Sequence, residues 1–289
     1  MARLGLALIW LLHFLPLAAL SRCGAALGML LYALARARRR IVLVNLGLCF
    51  PELPDRVRDH LARRHFRAFG RSLLERGILW WGSKQQVREL VTVEGIEHWR
   101  VVADRPVILL APHFIGLDMG FVRISADHRL NTVYSRQKNA TFEAILYYGR
   151  TRFGNTTLFA RQDGIRAMIR SLENSEPFYY LPDMDLGERD SVFVPFFGVN
   201  TATITGLSRI ARLARAVIVP CVTRQLPGRA GYEVRMYPAW TDFPGDDPQA
   251  DARRMNAFIE ERVREMPEQY YWLHKRFKTR PAGEPNPYA

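Results

Sequence analysis

The chain has 289 residues, is 48% hydrophobic and 11% aromatic, and carries a formal charge of +13. That length suits one large α/β domain or two small ones, and the apolar share excludes a disordered chain. A charge so far from zero points to an anionic partner, either nucleic acid or membrane head groups. Cys23, Cys49 and Cys221 form no close pair and no metal-binding spacing, which fits a reducing compartment and small apolar packing roles.

Residues 4 to 20 are almost wholly apolar, interrupted only by His13 and Pro16. Ser21-Arg22 breaks the run, and residues 23 to 34 resume it. About 20 apolar residues span a bilayer, so the first half alone is marginal and the whole stretch spans only if Arg22 snorkels. Only one basic residue precedes the run, whereas arginines at 36, 38, 39 and 40 follow it directly. That order favours an uncleaved membrane anchor over a cleaved signal peptide, with the arginines retained on the cytoplasmic side. The basic apolar neighbourhood also makes nucleic acid an improbable partner.

Residues 36 to 76 hold eleven arginines against four acids, a net +7. Within them, apolar residues at 57, 61, 66, 69, 73 and 78 predict an amphipathic helix over about 55–78. Its arginine-rich face either meets solvent or lies on anionic lipid. From about residue 90, strand-like runs at 107–111, 131–135, 177–183, 216–222 and 232–238 alternate with helical stretches at 114–126, 141–153, 163–173 and 202–214. A last helix is expected from Pro248 to residue 266. Alternation of this kind predicts an α/β fold with a mostly parallel central sheet flanked by helices. The expected organisation is an anchor over 1–35 and one domain over 36–289.

Chemistry concentrates at HFIGLD, residues 113 to 118, which follows the apolar run VILLAP. His113 then stands at the C-terminal end of a predicted central strand, where open α/β sheets form their ligand crevice. Two residues five apart in a helix diverge by about 140°, but a histidine in the preceding turn can meet a carboxylate from the next helix. On this reading Asp118 orients His113 as a base, Gly116 keeps the backbone open to substrate, and backbone N–H groups near Phe114 stabilise an oxyanion. An ordinary polar turn remains the alternative. GxSxG, HExxH, Walker A and GxGxxG are all absent, leaving a base without an enzyme nucleophile. That suits direct attack by a substrate hydroxyl on an activated acyl group. Phe193, Phe196 and Phe197 are core residues or the lining of an acyl groove, and the basic run Lys275, Arg276, Lys278, Arg280 suits an anionic partner.

HFIGLD is also an HX4D sequence, which resembles the signature of glycerolipid-type acyltransferases. With NLGLCFPE (45–52), YLPDMDLGERDSVFVPFFG (180–198) and PEQYYWLHKRFKTRPAGE (267–284), the chain is similar to the late acyltransferases of lipid A biosynthesis, the lauroyl and myristoyl transferase family. The likeness covers essentially the whole chain, and the C-terminal block is its most specific part.

That resemblance implies a glycerolipid-acyltransferase-like fold at the cytoplasmic face of the inner membrane. It implies transfer of an acyl chain from acyl-acyl carrier protein to a hydroxyl on a hydroxyacyl chain of a Kdo-bearing lipid A precursor. No covalent acyl-enzyme, metal or other cofactor is implied. His113 would be the general base and Asp118 its partner. Arg150 would match a functional arginine of the family, with Arg152 and Arg161 as neighbouring candidates. Asp183 would match the first acid of an Asp-x-Asp segment in which Met184 replaces an expected glutamine. Another glycolipid acceptor, such as a phosphatidylinositol mannoside, and a non-catalytic lipid-binding protein are the competing readings.

Overall fold

A computed structural model describes residues 2–160, 165–228 and 230–289. The N-terminal third is helical: α1 (Ala2–Leu12), α2 (Leu17–Leu34), α3 (Arg36–Cys49) and α4 (Asp55–Trp81). The break in the apolar run falls before Pro16, where proline suits the entry to a new helix, and the polar pair Ser21-Arg22 sits inside α2 without interrupting it. Arg22 is exposed, whereas Ser21 is buried and donates to Glu75 Oε1 on α4 at 2.6 Å.

The two helices meet through glycine. A Cβ added at Gly28 would lie 2.0 Å from the Phe66 carbonyl oxygen, and one at Gly70 would lie 2.3 Å from the Gly24 oxygen. Backbone therefore rests on backbone, an approach closed to any larger side chain. Buried Glu75 ties this contact further, accepting from Tyr232 as well as Ser21 and pairing with Arg71 at 3.3 Å.

Next come α5 (Lys84–Leu90), β1 (Val91–Glu94), α6 (Ile96–Arg100), β2 (Val107–Leu110), α7 (Leu117–Ser125), β3 (Asn131–Tyr134), α8 (Ala140–Thr151), β4 (Leu158–Ala160), α9 (Arg166–Glu173) and β5 (Phe178–Tyr180). The chain continues through β6 (Ser191–Phe196), β7 (Val199–Ile204), α10 (Gly206–Ala214), β8 (Val217–Gln225), β9 (Tyr232–Met236) and α11 (Pro248–Glu265). Seven strands form one sheet in the order β1-β9-β8-β2-β5-β3-β4, and only the β8–β9 pair is antiparallel. This is the expected mostly parallel α/β sheet. Two expectations change. Residues 199–204 form a strand paired with β6, so 202–204 do not start the expected helix, as the β-branched run Val-Asn-Thr-Ala-Thr-Ile favours. Helix α7 begins at Leu117 rather than near Phe114, because Phe114 bridges to Tyr270 and the Ile115 N–H donates to the Gln269 carbonyl at 2.8 Å.

Alternate strand residues feed two cores. Ile108, Leu110, Phe178 and Ile218 pack with Met168 and Leu172 of α9 and Leu207 and Ile210 of α10. Val107, Leu109, Tyr179 and Val219 point the other way, toward Met119, Phe121 and Val122 of α7, with Phe142, Ile145 and Leu146 of α8 packed against them. Leu6 and Ile9 of α1 join this second side. The sheet therefore separates α1, α7 and α8 from α9 and α10.

Candidate active site

Strand β2 pairs in parallel with β5, with Leu110 opposite Tyr180. His113 and Asp183 each lie three residues beyond that matched pair, so the register delivers both to the same end of the sheet. His113 Nδ1 and Asp183 Oδ1 are 2.6 Å apart, and the His113 backbone N–H donates to Asp183 Oδ2 at 2.9 Å. Both carboxylate oxygens thus bond His113, and the Tyr270 hydroxyl bonds the same carboxylate. Asp183 is only 1% exposed; burial pushes its carboxyl up, but the charge and hydrogen bonds of His113 outweigh burial and leave it below its ordinary range. An ionised carboxylate can only accept, so Nδ1 carries the ring proton and Nε2 is left as the basic nitrogen.

The loop that bears His113 is clamped by the C-terminal block. Its carbonyl accepts from Tyr271 N at 2.9 Å. Asn45, from the NLGLCFPE block, donates to the carbonyls of Trp272 and His274 at 2.7 and 2.8 Å. The second acid of the PDMD segment, Asp185, accepts from the backbone and hydroxyl of Thr279, both at 2.8 Å. His274 Nε2 accepts from the Asp185 N–H at 3.1 Å, and burial holds this ring down to about 4, so it stays neutral near pH 7. Three of the resembling blocks therefore meet at the base of one histidine.

Asp118 has a different position from the expected one. It lies in the first turn of α7, and its carboxylate is taken by two arginines instead of by His113. Arg150 of α8 donates to Oδ1 at 2.7 Å through Nη2 and at 3.2 Å through Nε, and Arg76 of α4 reaches Oδ2 at 2.9 Å. Burial raises the Asp118 carboxyl, but Arg150 and Arg76 more than reverse this and bring it to about 2. The expected Asp118–His113 pairing is replaced because Asp183 already occupies the ring nitrogen. Two guanidinium groups sharing one carboxylate leave a net positive charge of one beside the histidine.

Other expectations sort clearly. Arg150 reaches the site, aided by Gly149, where an added Cβ would lie 2.2 Å from the Trp80 ring. Arg152 turns away to the Gly82 carbonyl and stacks on Phe153. Arg161 lies outside the described residues. Gly116 does not open the backbone to substrate: it is buried, and a Cβ there would meet Thr223 at 3.0 Å and Tyr232 at 3.1 Å, so its smallness seats α7 on the sheet. The N–H groups of His113, Phe114, Ile115 and Leu117 are all engaged, which removes them from the expected oxyanion site. Phe196 and Phe197 pack on each other and in the core, away from the cavity. In the basic run, Arg276 is 2% exposed and bonded to Ala202 O and Thr203 Oγ1, while Arg280 pairs with Glu284. These two arginines hold structure.

His113, Asp118, Arg76 and Arg150 line one cavity of about 770 Å³. Its walls are otherwise mainly apolar, and it continues on both sides of the sheet's end. Leu117, Phe121 and Leu146 lie on the α7–α8 side, and Ile165, Met168 and Ile210 lie on the α9–α10 side. Arg76 was missed by sequence reading, because nothing distinguishes it from the ten other arginines of its segment. Asp183 becomes the partner of His113 through strand pairing, which brings the ends of β2 and β5 side by side in the parallel sheet. Among the described residues, no group of three or more metal-ligating side chains could hold an ion.

The model of the family described as "Bacterial lipid A biosynthesis acyltransferase" matches residues 1–279. The chain is 36% identical to the lipid A biosynthesis lauroyltransferase of Escherichia coli K12, over 99% of this chain and 94% of that protein. It is 32% identical to the palmitoleoyltransferase of the same organism (98% and 93% covered) and 32% identical to its myristoyltransferase (91% and 82%). Among solved structures, a 1-acyl-sn-glycerophosphate acyltransferase from Thermotoga maritima overlays at a TM-score of 0.39 and 17% identity, covering 80% of this chain and 98% of that one. That last likeness is too distant to inform the site. The match along nearly the full length, with the histidine and its clamps at the end of a parallel sheet, places this chain in the bacterial lipid A biosynthesis acyltransferase family, and it is an acyltransferase.

Proposed function

We propose that this enzyme transfers a fatty acyl chain from an acyl-acyl carrier protein thioester to the hydroxyl of a hydroxyacyl chain on a Kdo-bearing lipid A precursor. His113 Nε2 takes the hydroxyl proton as the oxygen attacks the thioester carbonyl carbon. The tetrahedral oxyanion collapses, the C–S bond breaks, and the departing thiolate recovers the proton from the imidazolium. Asp183 fixes the ring tautomer and stabilises the imidazolium formed in between. Arg76 and Arg150, held by Asp118, supply the positive charge that the engaged backbone amides do not, either for the oxyanion or for an anionic group of a substrate. The observation that carries this reading is Asp183 bound to both Nδ1 and the backbone N–H of a histidine that lines a mainly apolar cavity.

The membrane arrangement follows from α1 and α2. Leu4, Leu8, Leu11 and Phe14 are between 55% and 75% exposed, and Leu30 and Leu34 add 54% and 71% on α2. Helix α2 is apolar enough to cross a bilayer, with a mean hydropathy of 1.6. Its backbone contact with α4, however, would carry Arg63, Arg64 and Arg67 of that helix into hydrocarbon. We therefore place α1 and α2 in the interface of one leaflet, with the sheet on the cytoplasmic side, as the arginines at 36–40 favour.

Mass spectrometry of lipid A from cells with and without the protein tests the acceptor. Purified enzyme with His113→Ala tests the base: transfer is expected to fall by about 10²–10⁴-fold while membrane association survives. Retained transfer by that variant would remove His113 from the reaction.

A further inference from the structure

Helices α9 and α10 close one end of the cavity from inside with Ile165, Met168 and Ile210. Their outer side is basic. Arg166 and Arg170 stand one turn apart and exposed on α9, and Arg209 and Arg212 are exposed on α10. Arg189 and Arg209 are exposed and also belong to the cavity wall, so the basic surface is continuous with the rim. Acids are few here. Asp190 pairs with Arg209 at 3.2 Å and with Arg189 at 3.9 Å, Glu188 is exposed beside them, and Glu173 sits at the far end of α9. Arg212 bonds the Gly245 carbonyl, whereas Arg166 and Arg170 have no ion-pair partner among the described residues. Leu213 lies amid these charges and is 54% exposed.

The position of this face selects between two classes of anionic partner. The exposed apolar residues of α1, together with exposed Tyr147 and Tyr148 on α8, lie on the other side of the sheet. With the bilayer meeting α1, α8 and the exposed Leu30 and Leu34 of α2, the outer face of α9 and α10, which carries exposed Arg166, Arg170, Arg209 and Arg212, is left to the aqueous phase. A soluble partner can reach them there while the acceptor lipid enters from the membrane side.

We propose that the outer face of α9 and α10 is the docking surface for the acidic carrier protein that bears the acyl thioester. The carrier's acidic surface meets Arg166, Arg170 and Arg212, Leu213 gives an apolar contact at their centre, and the thioester arm enters past Arg189 and Arg209 toward His113. Attraction of this kind raises encounter rate and specificity more than it alters chemistry. The proposal rests on the acyl-carrier donor assigned above.

Steady-state transfer by the full-length enzyme with Arg166→Glu and Arg170→Glu together provides the test. Two donors are compared, the acyl carrier protein and a small acyl-pantetheine thioester that carries no protein. The KM for the carrier is expected to rise about tenfold, more at low salt than at high. Turnover at saturation, activity with acyl-pantetheine and binding to anionic phosphatidylglycerol vesicles are expected to stay at the wild-type level. The Arg166→Lys, Arg170→Lys variant is expected to retain the wild-type KM. An unchanged carrier KM in the charge-reversed variant overturns the docking site, as does an equal loss with both donors or a loss confined to vesicle binding. Wild-type enzyme that uses acyl-pantetheine but not the carrier would instead overturn the donor itself, and the docking site with it.

Discussion

The cavity has two polar flanks, each built around a buried aspartate, and they are organised in opposite ways. On the strand flank, Asp183 bonds His113 through both oxygens, at 2.6 and 2.9 Å, with the Tyr270 hydroxyl as a further partner. On the helix flank, Asp118 divides its oxygens between Arg150 at 2.7 Å and Arg76 at 2.9 Å, from α8 and α4. One carboxylate sets the tautomer of a histidine; the other gathers cations. Their different partners teach that an acid close in sequence to a histidine need not serve it. Strand register brought a residue 70 positions away to the ring, while the acid five positions away was claimed by helices.

The contrast is broken most severely at Asp183. Replacing Asp183 by Asn gives Nδ1 a partner that can donate as well as accept, so the ring loses its enforced tautomer. Turnover is expected to fall by about 10³–10⁴-fold, measured with saturating donor and acceptor, while thermal unfolding confirms a folded protein. Asp118→Asn should cost less, about 10²-fold. It leaves His113 intact but sets two guanidinium groups against each other. Arg76→Gln and Arg150→Gln should each lie between wild type and Asp118→Asn. If either raises KM for the acceptor with unchanged turnover, the arginine binds a ground-state anion; if turnover falls, it acts on the oxyanion.

Sequence reading reached the sheet class and the basic helix and singled out a histidine that lines the cavity, and its limits have physical causes. Periodicity reports which face of an element is buried, so α4, α8 and α11 were legible. It says nothing about which strands pair, and that pairing joins His113 to Asp183. Residues 202–204 read as helix because their neighbours in α10 are strong helix formers, yet β-branching and a partner strand prevail. Arg76 could not be found, since only the packing of α4 on α7 and α8 distinguishes it. Gly28 and Gly70 looked like ordinary small residues of an apolar run and a basic helix. Their role exists only where the two backbones cross.

That crossing supplies a smaller effect. Gly28→Leu must displace the Phe66 backbone and is expected to cost about 1–3 kcal/mol, read by denaturant unfolding in detergent. Gly28 faces the Phe66 and Arg67 backbone and does not line the cavity, so residual folded enzyme should keep its turnover. The smallest effect concerns pH. Asp118 has a folded value of about 2, below its ordinary 3.8, so its contribution to stability is complete above the ordinary value and is lost as pH falls through about 2. Unfolding of Asp118→Asn followed across that window should show a flatter dependence on pH than wild type.

The central claim is that Asp183, and not Asp118, holds the ring of His113. Nitrogen-15 NMR of the imidazole signals, with His113 assigned by its disappearance in His113→Asn, reads this directly. At neutral pH the account predicts a single tautomer with the proton on Nδ1, kept in Asp118→Asn and lost to a mixture in Asp183→Asn. A His113 signal that changes tautomer in Asp118→Asn and is untouched in Asp183→Asn would contradict it.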